Sequence, residues 1–285
     1  MSKKVVEKEF KDAVFKQGFS LEQNVFRILE KDGWRIHPNR NFFDSASNIT
    51  REFDLLAYRS RTQAHTTVFT VLIIECKFNP HRIVFYTRQA KQSDEALCLP
   101  QFYTGDFIQN IFSSEKAREF WLNIKRYKTL FSNTEQVFGY QMFEEVVQKQ
   151  NKDSGNSKKV TFKARQELTE KMVFGALNTT MQATLYEQKI RDKVKNAGNL
   201  IMFFPIVVFS DNLYKASLED RKILKRQETF LYRSGMTFSD SASPDEFNIY
   251  ISSVAYLSTL LKALNYSHKK FSAFFFKNIK ERKRK

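Results

Sequence analysis

The sequence predicts an α/β fold, a mixed central β-sheet flanked by helices, in one large domain that carries an insertion. Three observations predict it. An amphipathic helix pattern precedes three strand candidates, and a long helical pattern joins two nearly continuous apolar strands. The 285 residues are 42% hydrophobic and 15% aromatic, enough for a substantial core, while eight Gly and five Pro leave few linker segments.

Residues 20–32, "SLEQNVFRILEKD", form the first helix. Leu21, Val25, Ile28 and Leu29 repeat at helical spacing, Ser20 stands as N-cap and Gly33 as stop. The strands "WRIHP", "REFDLLAY" and "TVFTVLIIECKF" follow. The third is rich in β-branched residues and apolar almost throughout, as in a strand covered on both faces. Residues 80–160 contain helical stretches, notably "SSEKAREFWLNIKRYKTLF", and no second clear set of strands. They read as a largely helical insertion. From Gln166 to Lys195 a long helix keeps Leu168, Met172, Val173, Ala176, Leu177, Met181 and Leu185 in register. The apolar strand "LIMFFPIVVF", a polar basic segment, the strand "FNIYIS" and the helix "VAYLSTLLKALN" complete the pattern. Strand, long helix and strand form a βαβ unit, so the third and fourth strands run parallel. The expected layout is a core at about 18–79 and 161–267, the insertion at about 80–160, and a basic tail at 268–285.

The formal net charge is +16, and residues 268–285 hold eight Lys or Arg against one Glu. Such an excess favours an anionic partner, nucleic acid or a membrane surface. Two cysteines are too few for a disulfide framework, the start "MSKKVVEKEF" lacks an apolar signal core, and the longest apolar run is too short for a bilayer span. The expectation is a soluble, cytoplasmic protein. The four histidines lack zinc spacing, and neither a phosphate-binding P-loop nor a G-x-S-x-G elbow occurs.

One cluster of charges stands out. Asp54 interrupts the second strand, and Glu75 and Lys77 end the third. Side chains two apart share a strand face, so Glu75 and Lys77 project together while Cys76 points away. Two carboxylates on adjacent strands can share a divalent cation, with the lysine ammonium as their partner. The triplet E-x-K is cheap, occurring also at Glu9, Glu187 and Glu281. Only at Glu75 does it end an apolar strand preceded by a strand bearing an aspartate.

In this order of elements the chain resembles the PD-(D/E)XK nuclease superfamily, the restriction-endonuclease-like fold. Glu22 matches the glutamate of the leading helix, Asp54 the strand aspartate, and Glu75 with Lys77 the final pair. Phe53 replaces the name-giving proline. The resemblance covers residues 20–78 and, more loosely, the long helix with the later strands. It implies Mg²⁺-dependent hydrolysis of phosphodiester bonds, with Mn²⁺ able to substitute. Asp54, Glu75 and the Cys76 backbone carbonyl would hold the metal, Glu22 would assist directly or through water, and Lys77 would orient or activate the attacking water. The leading reading is a DNA endonuclease of restriction or antiviral-defence type, with DNA favoured over RNA as the substrate, as a homodimer or as a subunit of a larger complex. Some branches also carry Q-x-x-x-Y on the following helix. That pattern occurs here at Gln136–Tyr140 and at Gln182–Tyr186, the second on the long crossover helix, so Gln182 and Tyr186 are candidate substrate contacts. Arg88 and Lys91, shortly after the third strand, are candidate phosphate contacts. Two other function classes compete: a catalytically silent nucleic-acid-binding module of the same fold, and a basic protein that docks on acidic membranes or partners.

Overall fold

Successive side chains of β2 and β3 turn to opposite faces of one sheet, and helices cover both. The structure, a computed structural model, describes residues 18–44, 47–63, 65–88, 101–104, 135–150, 157–193, 199–217, 222–224, 229–236 and 245–282, with Glu7 and Phe120 as isolated residues. Helix α1 (Gly18–Lys31) leads into strands β1 (Arg35–Asp44), β2 (Ile49–Gln63) and β3 (Thr66–Lys77). Strands β4 (Arg82–Arg88), β5 (Gln101–Thr104), β6 (Glu135–Gln150) and β7 (Ser157–Ala164) follow. Helix α2 covers 166–193: Gln166–Thr169 is α-helical, Glu170–Phe174 is a π-helical turn, and Gly175–Lys193 is α-helical again. The chain continues through β8 (Asn199–Phe209), β9 (Leu213–Ser217), β10 (Lys222–Leu224), β11 (Thr229–Met236) and β12 (Asp245–Ser253) to helix α3 (Val254–Arg282).

Among the described residues these strands form one mixed sheet in the order β1-β2-β3-β8-β12-β11-β6-β4-β9-β10, with β5 beside β8 and β7 beside β6. β1, β2 and β3 pair antiparallel. β3 and β8 pair in parallel, from Thr67↔Asn199 to Lys77↔Phe209, as the crossover through α2 requires. Pro205 cannot donate to a ladder. It falls where β8 changes neighbour, after pairing with β5 stops at Phe203 and before pairing with β12 starts at Ile206.

One core lies between the sheet and helices α1 and α3. Leu21, Val25 and Leu29 of α1 and Leu257, Leu260, Leu261 and Leu264 of α3 meet Leu72, Ile74 and Cys76 of β3 there. On the opposite face α2 packs Val173, Leu177 and Met181 against Phe85, Phe209 and Phe230. Further along, Ala183 and Tyr186 meet Ile73 and Phe203. Helix α1 begins at Gly18, two residues before the expected Ser20 cap. It stops as predicted at Gly33, which has φ of 80°. The Gly33 N–H donates to Glu30 and the Trp34 N–H to Leu29, closing a glycine C-cap.

Three expectations need correction. The insertion, expected to hold no second clear set of strands, carries β4, β5, β6 and the start of β7 among its described residues, and all join the main sheet. The stretch 113–131 lies outside the described residues apart from Phe120. The polar basic segment after β8 holds β9, β10 and β11. Residues 268–282 are no loose tail but the second half of α3, in which Phe271, Phe275, Phe276 and Ile279 are buried. Lys269, Lys270, Lys277 and Lys280 occupy its exposed face. Among the described residues no helix is long and apolar enough to cross a membrane.

Candidate active site

The β2–β3 ladder ends at Leu55↔Ile74, so Asp54 and residues 75–77 stand just past it, while 75–77 stay paired with β8 on the other edge. The Cys76 N–H takes up the missing partner by donating to Asp54 Oδ2 at 2.6 Å. On the other edge of β3 the Lys77 carbonyl accepts from the Ser210 N–H. Successive residues of a strand direct their backbone groups to alternate edges. The carbonyl of Cys76 is therefore aimed to the same side as its N–H, toward Asp54. Glu75 and Lys77 share the α2 face, while Cys76 packs into the α1–α3 core at 4% exposure.

Lys77 Nζ lies 2.6 Å from Glu75 Oε1. The second oxygen, Glu75 Oε2, is buried and has no hydrogen-bond partner among the described residues. Burial pushes the Glu75 carboxyl up to about 7, and repulsion from Asp54 adds to it; the attraction of Lys77 only partly offsets both. Asp54 is raised by burial against the pull of the Cys76 N–H and of Lys77. Glu22 is raised by its own partial burial and by Asp54. Burial works to lower the Lys77 ammonium, but Glu75 and Asp54 outweigh it and hold its pKa above the ordinary value. The four groups thus sense one another, with three acids and one base competing for few protons.

This is a donor set that fits a hard divalent cation. An orphaned, buried carboxylate oxygen, a second carboxylate on the neighbouring strand and a backbone carbonyl directed between them are all oxygen ligands, the chemistry of Mg²⁺ or Mn²⁺. Among the described residues no three His, Cys, Asp or Glu side chains converge as a ready ligand cluster. A cation here would take two carboxylates and a carbonyl, with water in the remaining positions, as Mg²⁺ usually does.

Glu22 projects from α1 beside the buried Leu21–Val25 stripe and lines a groove of about 460 Å³ with Phe19, Gln23, Phe26, Arg27 and Leu55, the residue after Asp54. The other candidates are placed less centrally. Tyr186 is half-buried in the α2 core, its ring 6.2 Å from that of Phe42, and Gln182 lies one helical turn before it. The alternative pair Gln136–Tyr140 falls on strand β6, not on a helix. Arg88 closes β4 at the end remote from Lys77, and Lys91 lies outside the described residues.

Three neighbours were not legible beforehand. Glu52 adds repulsion to Asp54 and Glu22, and only its position two before Asp54 hinted at this. Asn79 and Ser210 cross-link the ends of β3 and β8: the Asn79 N–H donates to Ser210 Oγ at 3.0 Å, and Ser210 Oγ donates to the Asn79 carbonyl. They brace the strand end that carries Lys77. Comparison of the chain with protein-family models, with curated proteins and with solved structures finds no match.

Proposed function

We propose that this protein is a divalent-cation-dependent nuclease of the restriction-endonuclease-like class, hydrolysing phosphodiester bonds in DNA. The observation that carries the proposal is the meeting of Asp54, Glu75 and Lys77 where the ladder between two adjacent strands ends, with a buried oxygen of Glu75 left unsatisfied. Asp54, Glu75 and the Cys76 carbonyl would hold Mg²⁺, or Mn²⁺ in its place, with Glu22 assisting. Such a cation, when bound, supplies Lewis-acid polarisation and charge compensation at a phosphoryl group.

The chain's own residues set the rest. Lys77 stays protonated at neutral pH because two acids raise its pKa. It therefore acts as a cationic hydrogen-bond donor that orients water or a phosphate oxygen, and not as the proton acceptor. The groove beside Glu22 offers Arg27 as a phosphate contact and exposed Phe19 as an apolar wall. The surplus of 16 positive charges suits a polyanionic substrate. A homodimer, or a subunit of a larger cytoplasmic assembly, fits two-strand cleavage.

The test is supercoiled plasmid incubated with the full chain and Mg²⁺ or EDTA, beside Lys77→Ala and Glu75→Gln. Cation-dependent nicking that both variants lose by at least about a hundredfold is expected. Equal nicking by wild type and Lys77→Ala would sink the proposal. One observation favours a second reading, a silent DNA-binding module: the absence, among the described residues, of three converging ligand side chains. That reading predicts salt-sensitive DNA binding with no saturable Mg²⁺ or Mn²⁺ site by calorimetry.

A further inference from the structure

A separate basic feature sits on the same strand as Asp54. Five residues along β2, about 17 Å at strand rise, Arg59 enters a cleft of about 550 Å³. Arg35, Arg61 and Lys269 also line it, with Ser60 and His268. Its walls come from the turn after α1, the second half of β2 and the centre of α3. Arg61 Nη1 donates to the Lys269 carbonyl at 3.5 Å, tying strand to helix across the cleft.

Arg59 is the anchor. Its guanidinium stacks on Trp34 at 5.0 Å from the ring centroid, and its side chain is only 21% exposed. Asp32 Oδ2 stands 3.7 Å from Nη2, but that oxygen also accepts from Trp34 Nε1 and Asn265 Nδ2. Arg59 Nε is buried and has no hydrogen-bond partner among the described residues. A buried donor left unmade is costly. Gly33 keeps the space open, for a Cβ there would stand 3.2 Å from Arg59 Nη2. His268 is held neutral, its imidazole pushed down to about 4, first by burial and then by Arg59, Arg61 and Lys269. It meets Thr70 Oγ1 at 2.8 Å. The cleft therefore concentrates four fixed cations against a single shared carboxylate.

We infer that this cleft is a phosphate-binding site separate from the acidic centre, in which Arg59 and Arg61 present planar donors and Arg35 and Lys269 supply the surrounding charge. Guanidinium forks match phosphate geometry, and a stacked, half-buried arginine holds its donors in place with little entropy left to lose. The phosphate is either part of a nucleic-acid backbone or part of a free nucleotide, and the two sources are separable.

The experiment uses the full chain in EDTA, so that no cleavage intervenes and the outcome is independent of the nuclease reading. A labelled 20-base-pair duplex is followed by anisotropy and ATP by calorimetry. Arg61→Glu with Lys269→Glu is compared with Lys262→Glu and Lys280→Glu, a control of equal charge change on exposed positions of α3. The cleft variant is expected to bind its ligand at least about tenfold more weakly, and the control less than about threefold. If the duplex carries that difference, with a salt slope lowered by about two, the phosphate belongs to a backbone. If ATP carries it, the phosphate belongs to a nucleotide. Equal weakening by cleft variant and control, or no binding of either probe to the wild type, overturns the inference.

Discussion

Glu75→Gln tests the acidic centre through stability alone. A carboxyl held at about 7 instead of its ordinary 4.5 binds its proton about 3 kcal/mol more tightly in the folded chain than in the unfolded one. Between those two values the folded state carries more protons, so this group's contribution is full below pH 4.5 and is lost as the pH rises through 7. The pull of Lys77 is already included in that balance, because the pair at 2.6 Å is what keeps Glu75 from rising further. Glutamine is near-isosteric and never ionises. In EDTA the variant should therefore gain about 3 kcal/mol on the wild type between pH 4.5 and pH 8. Urea titrations read by tryptophan fluorescence, with Trp34 at 5% exposure as reporter, measure it. Adding Mg²⁺ at pH 8 should restore the wild type and leave the variant unmoved. Parallel pH profiles for the two proteins would show that Glu75 ionises freely, and the reasoning from burial and Asp54 would fail.

His268 works in the opposite sense. Its folded pKa of about 4 lies below the ordinary 6.5, so its contribution is full above 6.5 and falls by about 3 kcal/mol as the pH drops through 4; His268→Gln should flatten that part of the wild-type profile in the same titrations. Phe275→Ala should cost about 3 to 4 kcal/mol, because the ring is fully buried against α1 and the sheet, whereas a solvated tail would register no change in urea midpoint.

The parts of this fold legible in the sequence are those where burial leaves one solution. β3 and β8 are apolar at almost every position because helices cover both their faces, so their parallel pairing and the crossover helix follow from composition and connection length. Glu75 was legible for the same reason, as a charge in a run that tolerates none. β6 and β7 gave no such signal. They carry exposed Val147, Val160 and Phe162 beside Lys and Glu, so neither strict alternation nor an apolar run marks them as strands. The far half of α3 was hidden by its charge. Ser267, His268, Lys269 and Lys270 interrupt the apolar repeat, and the stripe resumes only at Phe271. Buried Ser267, His268 and Ser272 fill the gap, a use of polar residues that periodicity counts against a helix. Glu187 is the converse case. It shares the E-x-K triplet, yet it lies on α2 at 1% exposure, paired with Arg40 at 2.5 Å, and serves to fasten β1 to that helix.

Asp54 owes its position to a feature no pattern announces. Leu55 and Ala57 of β2 enter the α1–α3 core, but Phe53 enters the α2 core, so β2 exchanges its faces at Asp54. β1 does the same opposite it: Ile36 packs on the first side and Phe42 on the second. The flanking pairs Pro38↔Leu55 and Arg40↔Phe53 keep register, and between them Asn39 takes a left-handed φ of 51°. Asparagine tolerates that conformation, glycine adopts it freely, and a β-branched residue does not. The exchange turns Asp54 out of the ladder to meet the Cys76 N–H instead of disappearing into either core. Asn39→Gly should then change stability by less than about 1 kcal/mol and leave the proposed Mg²⁺-dependent nicking of plasmid intact. Asn39→Val should cost about 1 to 3 kcal/mol and depress nicking well beyond what the stability loss explains. If Asn39→Val nicked as fast as Asn39→Gly, the left-handed residue would have no part in setting the carboxylate, and its position opposite Asp54 would be incidental.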